Sequence, residues 1–392
     1  MTLRLSADIQ TYDDNKSIVK VDSVNYKTFV SFSVSRSIDN VCGDFKIVLS
    51  RPEKSVSPFK VGDVIDILLD GFQAMRGKIY QTSFEGDATT DNIILAGRDI
   101  TGDLIDSTVP DTAKVYEAGA NIFSIAGSVI QALGLQDLIQ VVNQTGGAIE
   151  PFAQDEIISC DTGTTAIGFL LKYCRKRQLF LNTDNNGNLI FFKAEGIKTG
   201  NRIINDLENN NNNVISWKNK YNISERFFKY TCKSQDAALW GGTEVNAVGV
   251  AIDTEVSPVR QYEFRIEEGA VDDTECKARA AEEANVRRAR AFEYTPTVQG
   301  FKDKTVWGIN QFVSVSDERC DITGEFLVKG VEYSLDNQKG RTAKLTIVNR
   351  DAYTAEAAIS QRTANLSAAG KKWFSAAVDA VRAAIVAEGA SD

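Results

Sequence analysis

Histidine is absent from all 392 residues. That excludes Ser-His-Asp and Cys-His nucleophile arrangements, an imidazole general base and imidazole-ligated metal sites. Cysteine is sparse and dispersed. Cys42, Cys160, Cys174, Cys232, Cys276 and Cys320 include no C-x-x-C pair, so free, partly buried thiols are expected in place of a zinc cluster or a disulfide framework. No run of about twenty apolar residues occurs, so no membrane-spanning helix and no membrane anchor are expected. The opening Met1-Thr-Leu-Arg-Leu-Ser enters alternating sequence without a signal-peptide core, which points to synthesis and assembly in a cytoplasm. Walker-type and dinucleotide glycine motifs are also missing. No catalytic, cofactor-binding or metal-ligating residue can therefore be named. The 53 aspartates and glutamates leave a glycosidase-type carboxylate pair open in principle.

What is present suits a globular chain of two to four domains, since 43% hydrophobic residues are enough to bury cores without cross-links. The net charge of -9 argues against a dedicated nucleic-acid or anionic-membrane surface, because such surfaces cluster Lys and Arg. An acidic surface supports solubility, and it would equally let a polyanion pass without sticking.

Residues 1–108 read as all-β. Val30-Ser-Phe-Ser-Val-Ser-Arg and Gly43-Asp-Phe-Lys-Ile-Val-Leu alternate apolar with polar residues, as half-buried antiparallel strands do. Turns at short, regular spacing favour a barrel or sandwich. The region closes on Gly97-Arg-Asp-Ile-Thr-Gly-Asp-Leu-Ile-Asp106, a strand running into a short helix, with Asp103 and Asp106 expected at the helix end and on the surface.

The period then changes, and 109–200 reads as an inserted α+β module. Ile122, Ile125, Ala126, Val129, Ile130 and Leu133 share one helical face, with Gly134 as the stop. A strand is expected over 138–142 and a second helix over 162–177. Lys172, Arg175, Lys176 and Arg177 near its end offset the helix dipole. The loop Asp184-Asn-Asn-Gly-Asn188 with Glu195 has the spacing of calcium ligands, but Leu189 stands where the sharp turn needs glycine, so an Asn-Gly hairpin turn is expected. The polar run 209–213 reads as an exposed loop. Strand-like sequence returns at 214–217, 225–232 and 262–267.

The segment 277–348 is the most specific. A helix over 277–292 puts Ala280, Ala284, Arg287 and Ala291 on one face, and strands follow over 294–299, 312–316, 325–335 and 344–348, with Trp307-Gly-Ile-Asn310 between them. In the last forty or so residues alanine fills about a third of the positions and helix is favoured. Trp373, Phe374, Val378, Val381 and Ile385 form an apolar stripe there that either packs on its own domain or docks a partner.

The order "arginine-rich helix, tryptophan, strands" over 277–348, together with the strand, Arg-Asp and Thr-Gly-Asp-Leu-Ile-Asp phrase at 97–106, resembles the baseplate hub proteins of contractile-tailed phages, the Mu-like group in particular. The resemblance covers roughly 25–350. It implies a mainly β chain with an α+β insert: a first barrel-like domain over 1–108 completed by 201–235, the module over 109–200, a second barrel-like domain over 236–350 and a helical extension over 351–392. It further implies a homotrimer in the virion baseplate, assembled in the host cytoplasm. Its six lobes would match a six-fold tail tube on one face and a trimeric central spike on the other. Wedge or other tail proteins would be its neighbours, and DNA would pass through unbound. No cofactor and no catalysis are implied. The competing readings are a carbohydrate-binding adhesin using exposed aromatics such as Trp240 or Trp307, and a cell-wall glycan hydrolase.

Overall fold

The computed structural model describes residues 4–9, 19–21, 24–26, 29–50, 59–69, 72–87, 90–153, 157–177, 179–194, 196–208, 211–235, 246–266, 272–299, 307–336, 340–349 and 353. The chain divides into two compact units. The first is Met1–Lys193 with Gln299–Ile309 and Gly330–Lys344; the second is Ala194–Val298 with Asn310–Lys329 and Leu345–Asp392.

The first unit begins with strands β1 (Arg4–Ile9), β2 (Val19–Val21), β3 (Val24–Tyr26), β4 (Phe29–Ser37), β5 (Asn40–Ser50), β6 (Val64–Leu69), β7 (Phe72–Gly86) and β8 (Asp91–Asp99), leading into helix α1 (Gly102–Asp106). Neighbours run β1-β6-β7-β8-β5-β4, with β1 parallel to β6 and the remaining pairs antiparallel. The alternation of β5 is why it lies as it does. Val41, Phe45, Ile47 and Leu49 turn inward while Asp44 and Lys46 face out. At the centre of this sheet β7 and β8 approach closely over the Phe45 ring. A Cβ on Gly97 would stand 2.1 Å from the Lys78 carbonyl oxygen and 2.6 Å from Phe45 Cζ. The glycine of the Gly-Arg-Asp phrase is therefore a packing requirement.

The inserted module follows, with β9 (Val115–Tyr116), α2 (Ile122–Ala132), β10 (Val141–Asn143), β11 (Ile158–Ser159), α3 (Ala166–Lys176), β12 (Phe180–Thr183) and β13 (Leu189–Phe192). Asn121 caps α2 by accepting from the Phe123 N–H at 2.8 Å, and Gly134 at φ 72° ends it. Ile122, Ile125, Ala126, Val129 and Ile130 are buried as the periodicity requires, each aliphatic contributing about 1.5–3 kcal/mol. Two boundaries move. The second helix starts at Ala166, because Thr165 accepts from the Gly168 N–H as its cap. The strand expected from 138 starts at Val141, because the N–H groups of Leu138 and Ile139 still close turns onto Leu135. Leu104 and Ile100 join the same core as the module's Phe169, Leu170 and Phe191.

The remaining elements are β14 (Ile197–Ile204), β15 (Val214–Ser216), β16 (Asn219–Tyr221), β17 (Lys229–Gln235), β18 (Asn246–Ile252), β19 (Gln261–Ile266), α4 (Asp273–Ala291), β20 (Phe292–Tyr294), β21 (Thr297–Gln299), β22 (Gln311–Asp317), β23 (Ile322–Asp336) and β24 (Gly340–Asn349), mostly in the second unit, with the end of β23 from Gly330 and the start of β24 to Lys344 belonging to the first. Here β14 pairs with β22, β15 with β21 and β16 with β20. The sheet of the first unit is extended by the end of β23, where Gly330–Asp336 runs antiparallel to β4. Such pairing is a long-range choice that alternation does not encode. A three-stranded sheet, β18-β17-β19, carries α4 on one face. Of the expected face, Ala280 and Ala284 are buried there beside Cys276, Ala291 is also buried, and Arg287 is half-buried with its guanidinium 4.1 Å over the Tyr262 ring. The strand expected from 225 begins at Lys229, because the Arg226 side chain turns into the interior.

The mainly β class with an α+β insert holds, although the sheets of the described residues do not close into barrels. The stripe Trp373, Phe374, Val378, Val381 and Ile385 lies outside the described residues. Gly97→Ala is expected to lower stability by about 1–3 kcal/mol in urea denaturation through overpacking. Gly127→Ala, in α2 with nothing within 4 Å of the added Cβ, is expected to raise it by about 0.5–1 kcal/mol.

Candidate functional site

The Arg-Asp phrase at the end of β8 builds the most concentrated polar cluster of the first unit. Asp99 is fully buried and Arg36, on β4, is 9% exposed. Arg36 Nη2 donates to Asp99 Oδ1 at 2.5 Å, and the Gly43 N–H donates to Asp99 Oδ2 at 2.7 Å. Arg36 Nη1 donates onward to the Thr183 carbonyl oxygen on β12. Thr183 Oγ1 donates to the Val41 carbonyl at 2.7 Å and accepts from Thr101 Oγ1. Asn182 Nδ2 reaches the carbonyls of Ser37 and Asn40, both at 2.8 Å. The module's hairpin is thereby riveted to the β4–β5 turn through side chains that each satisfy a buried backbone group.

On the solvent side Asp103 accepts from Lys78 Nζ at 2.8 Å and Tyr80 Oη at 2.7 Å, while Arg98 pairs with Asp106 and lies 4.5 Å over the Tyr80 ring. Asp106 is exposed as expected, but Asp103 is a half-buried anchor. Burial pushes the Asp99 carboxyl up to about 6, opposed by Arg36 and the Gly43 N–H. Burial, with Asp99 adding to it, lifts the Cys42 thiol to about 12, which makes it unreactive.

Beside this cluster lies a cleft of about 340 Å³ lined by Arg36, Thr183, Asp184, Trp307, Tyr333 and Val34, among others. Its chemistry is committed to structure. Asp184 accepts from the N–H groups of Asn186 and Asn188, both at 2.8 Å, and from Asn188 Nδ2 at 2.9 Å. With Gly187 at φ 83° this is the Asn-Gly hairpin turn expected at that position; Glu195 lies outside the described residues. Trp307 is 5% exposed and its carbonyl accepts from Tyr333 Oη at 2.7 Å. It is therefore not the exposed aromatic platform that a glycan-binding reading needs, and Trp240 lies outside the described residues. The basic end of α3 is likewise structural in part: Arg177 donates to the Pro151 carbonyl and lies 4.9 Å over the Phe152 ring.

The second unit hides two further polar clusters. Arg226, fully buried, donates through Nε and Nη2 to Asp253 at 3.0 and 2.6 Å and through Nη2 to Glu255 at 2.8 Å, with Arg288 3.7 Å from Asp253. Asp317 accepts from Tyr294 Oη, from Asn205 Nδ2 at 2.9 Å and from the Cys320 N–H at 2.9 Å. Sequence reading missed both. The signal available was a charged residue interrupting an apolar stretch, as in Glu225-Arg-Phe-Phe and Val250-Ala-Ile-Asp253. Among the described residues no group of three or more Cys, Asp or Glu side chains is placed to hold a metal ion.

A mainly β chain with an α+β insert, in which the buried Asp99, Arg226, Asp253 and Asp317 are held by ion pairs and hydrogen bonds, has the fold of solved phage tail proteins. It is similar to the 43 kDa tail protein of prophage MuSo2 from Shewanella oneidensis, at 24% identity and a TM-score of 0.74 over 86% of this chain and 99% of that one. It is also similar to a tail protein from Neisseria meningitidis, at 16% identity and a TM-score of 0.70 over 86% and 97% of the two chains. No family model matches. Within the class, the chain resembles the baseplate hub protein of Escherichia phage Mu, with 24% identity over 354 residues, 86% of this chain and 89% of the relative. The chain thus resembles a Mu-like baseplate hub protein in sequence and shares the fold of the solved tail proteins.

The Arg36–Asp99 pair gives a pH test. The folded Asp99 value stands above the ordinary carboxylate value, so its protonation adds stability as pH falls through about 6, complete by about 4. Asp99→Asn is expected to flatten that part of the stability–pH profile. Arg36→Met is expected to lose about 3–5 kcal/mol near neutral pH, by stranding a buried carboxylate, and clearly less near pH 5, where Asp99 takes up a proton. Urea denaturation of both variants across pH checks this.

Proposed function

We propose that the chain is a non-catalytic baseplate hub that forms a homotrimeric ring. The carrying observation is the likeness to the Mu hub protein along most of both chains, on a chain with two β-rich compact units. Three copies then present six such units, which suits a six-fold tail tube, while the three-fold axis suits a trimeric central spike. Closed rotational symmetry lets one sequence serve both partners. The net charge of -9 supports passage of DNA through the ring without binding, since like charges repel. Wedge or other tail proteins flank it in the virion, after assembly in the host cytoplasm. The stripe Trp373, Phe374, Val378, Val381 and Ile385 docks one of these neighbours.

Class averages of the purified chain by electron microscopy are expected to show a three-fold ring with six peripheral lobes and a central hole. A chain that stays monomeric even with its trimeric spike present overturns the reading. Truncation after residue 353 is expected to leave the ring intact and weaken its attachment to the rest of the baseplate in co-sedimentation; loss of the ring itself would make the stripe a trimer contact.

A further inference from the structure

The β18-β17-β19 sheet is covered by α4 on one face only. Its other face reads in register as three rows: Val248, Lys233 and Arg265; Val250, Thr231 and Glu263; Ile252, Lys229 and Gln261. The outer column is apolar and open, with Val248, Val250 and Ile252 exposed by 44%, 37% and 50%. Strand β18 is also the end of its sheet, and no described strand pairs with its far side. The Val248 N–H shows which way the outward groups point and is itself occupied, because it donates to Asp273 Oδ1 at 2.8 Å. Backbone direction alternates along a strand, so the N–H and C=O groups of Val250 and Ile252 also face away from β17. Edges of this kind are ordinarily blunted by lysine, proline or a bulge on the strand itself. β18 has none of these between Asn246 and Ile252.

Charge selects what could add there. Three cations, Lys229, Lys233 and Arg265, share the face with one carboxylate, Glu263, which is paired to Lys233 at 2.6 Å; a second carboxylate, Asp273, stands at the Val248 end of the edge, committed to that N–H. The surplus is positive in a chain of net charge -9. A strand added beyond β18 would run about 10 Å from the lysine column, within one Debye length. We propose that the edge of β18 at Val250 and Ile252 docks an extended segment of a partner protein that is β-branched at its centre and flanked by carboxylates. Backbone pairing supplies the attachment, the valine and isoleucine column the apolar contact, and the lysines and arginine the preference for acid. The proposal goes beyond the ring reading and does not depend on it.

The test uses the full-length chain and a fluorescent peptide, Glu-Glu-Val-Thr-Val-Thr-Val-Glu-Glu, in anisotropy titrations. Its counterpart has lysine for every glutamate, and a single-stranded oligonucleotide serves as a phosphate control. The acidic peptide is expected to bind at least about tenfold tighter than the basic one. Val250→Pro, which removes only an outward-facing N–H, should abolish binding while leaving the melting curve close to wild type. Val250→Glu, which leaves the backbone free to pair, should reverse the preference between the peptides. Equal binding of both peptides, binding that survives both variants, or no binding overturns the proposal. So does binding of the oligonucleotide alone, which would make the face a phosphate surface.

Discussion

A buried ion pair between Arg36 and Asp99 is the contact on which the first unit depends. Two charges removed from water are tolerated when each is matched by its partner and supported by further hydrogen bonds. Asp99 is matched by the guanidinium and by the Gly43 N–H, and Arg36 extends the match to Thr183 of the inserted hairpin. The pair therefore does more than neutralise charge. It fixes the angle at which the module leaves the sheet, because moving β12 would strand a guanidinium, a carboxylate and the Asn182 amide together.

The second unit repeats the device with different residues. Arg226 binds Asp253 and Glu255 where the chain enters β17 and leaves β18, and Asp317 gathers Tyr294 and Asn205 at the end of β22. Buried polar networks of this kind favour one arrangement over the many that an apolar sheet would permit. The cysteines are equally far from chemistry: burial drives the thiols of half-buried Cys42 and buried Cys174 up to about 12.

Local features were the easiest to read from the chain. The faces of α2 and α4, the Asn-Gly turn at 184–188 and the alternation of β4 and β5 follow from periods of 3.6 and 2 and from the needs of glycine and asparagine in turns, all short-range physics. Boundaries moved where a single cap or turn decided them, as at Thr165 and Leu135. Polar residues were harder. Arg226 and Asp99 look like surface charges in any window of sequence, and only their partners, distant along the chain, make them interior.

Composition and periodicity by themselves settled the mainly β class, the inserted α+β module and the scattered free thiols, because each rests on neighbours in sequence, and two short motifs carried the resemblance to Mu-like hub proteins. The tertiary structure alone decided that the end of β23 pairs with β4, that Trp307 turns inward, and that no described strand pairs with the outer side of β18. The reason is the same in all three. Strand pairing and burial are set by which surfaces meet across hundreds of residues, and a two-residue alternation is equally compatible with many partners.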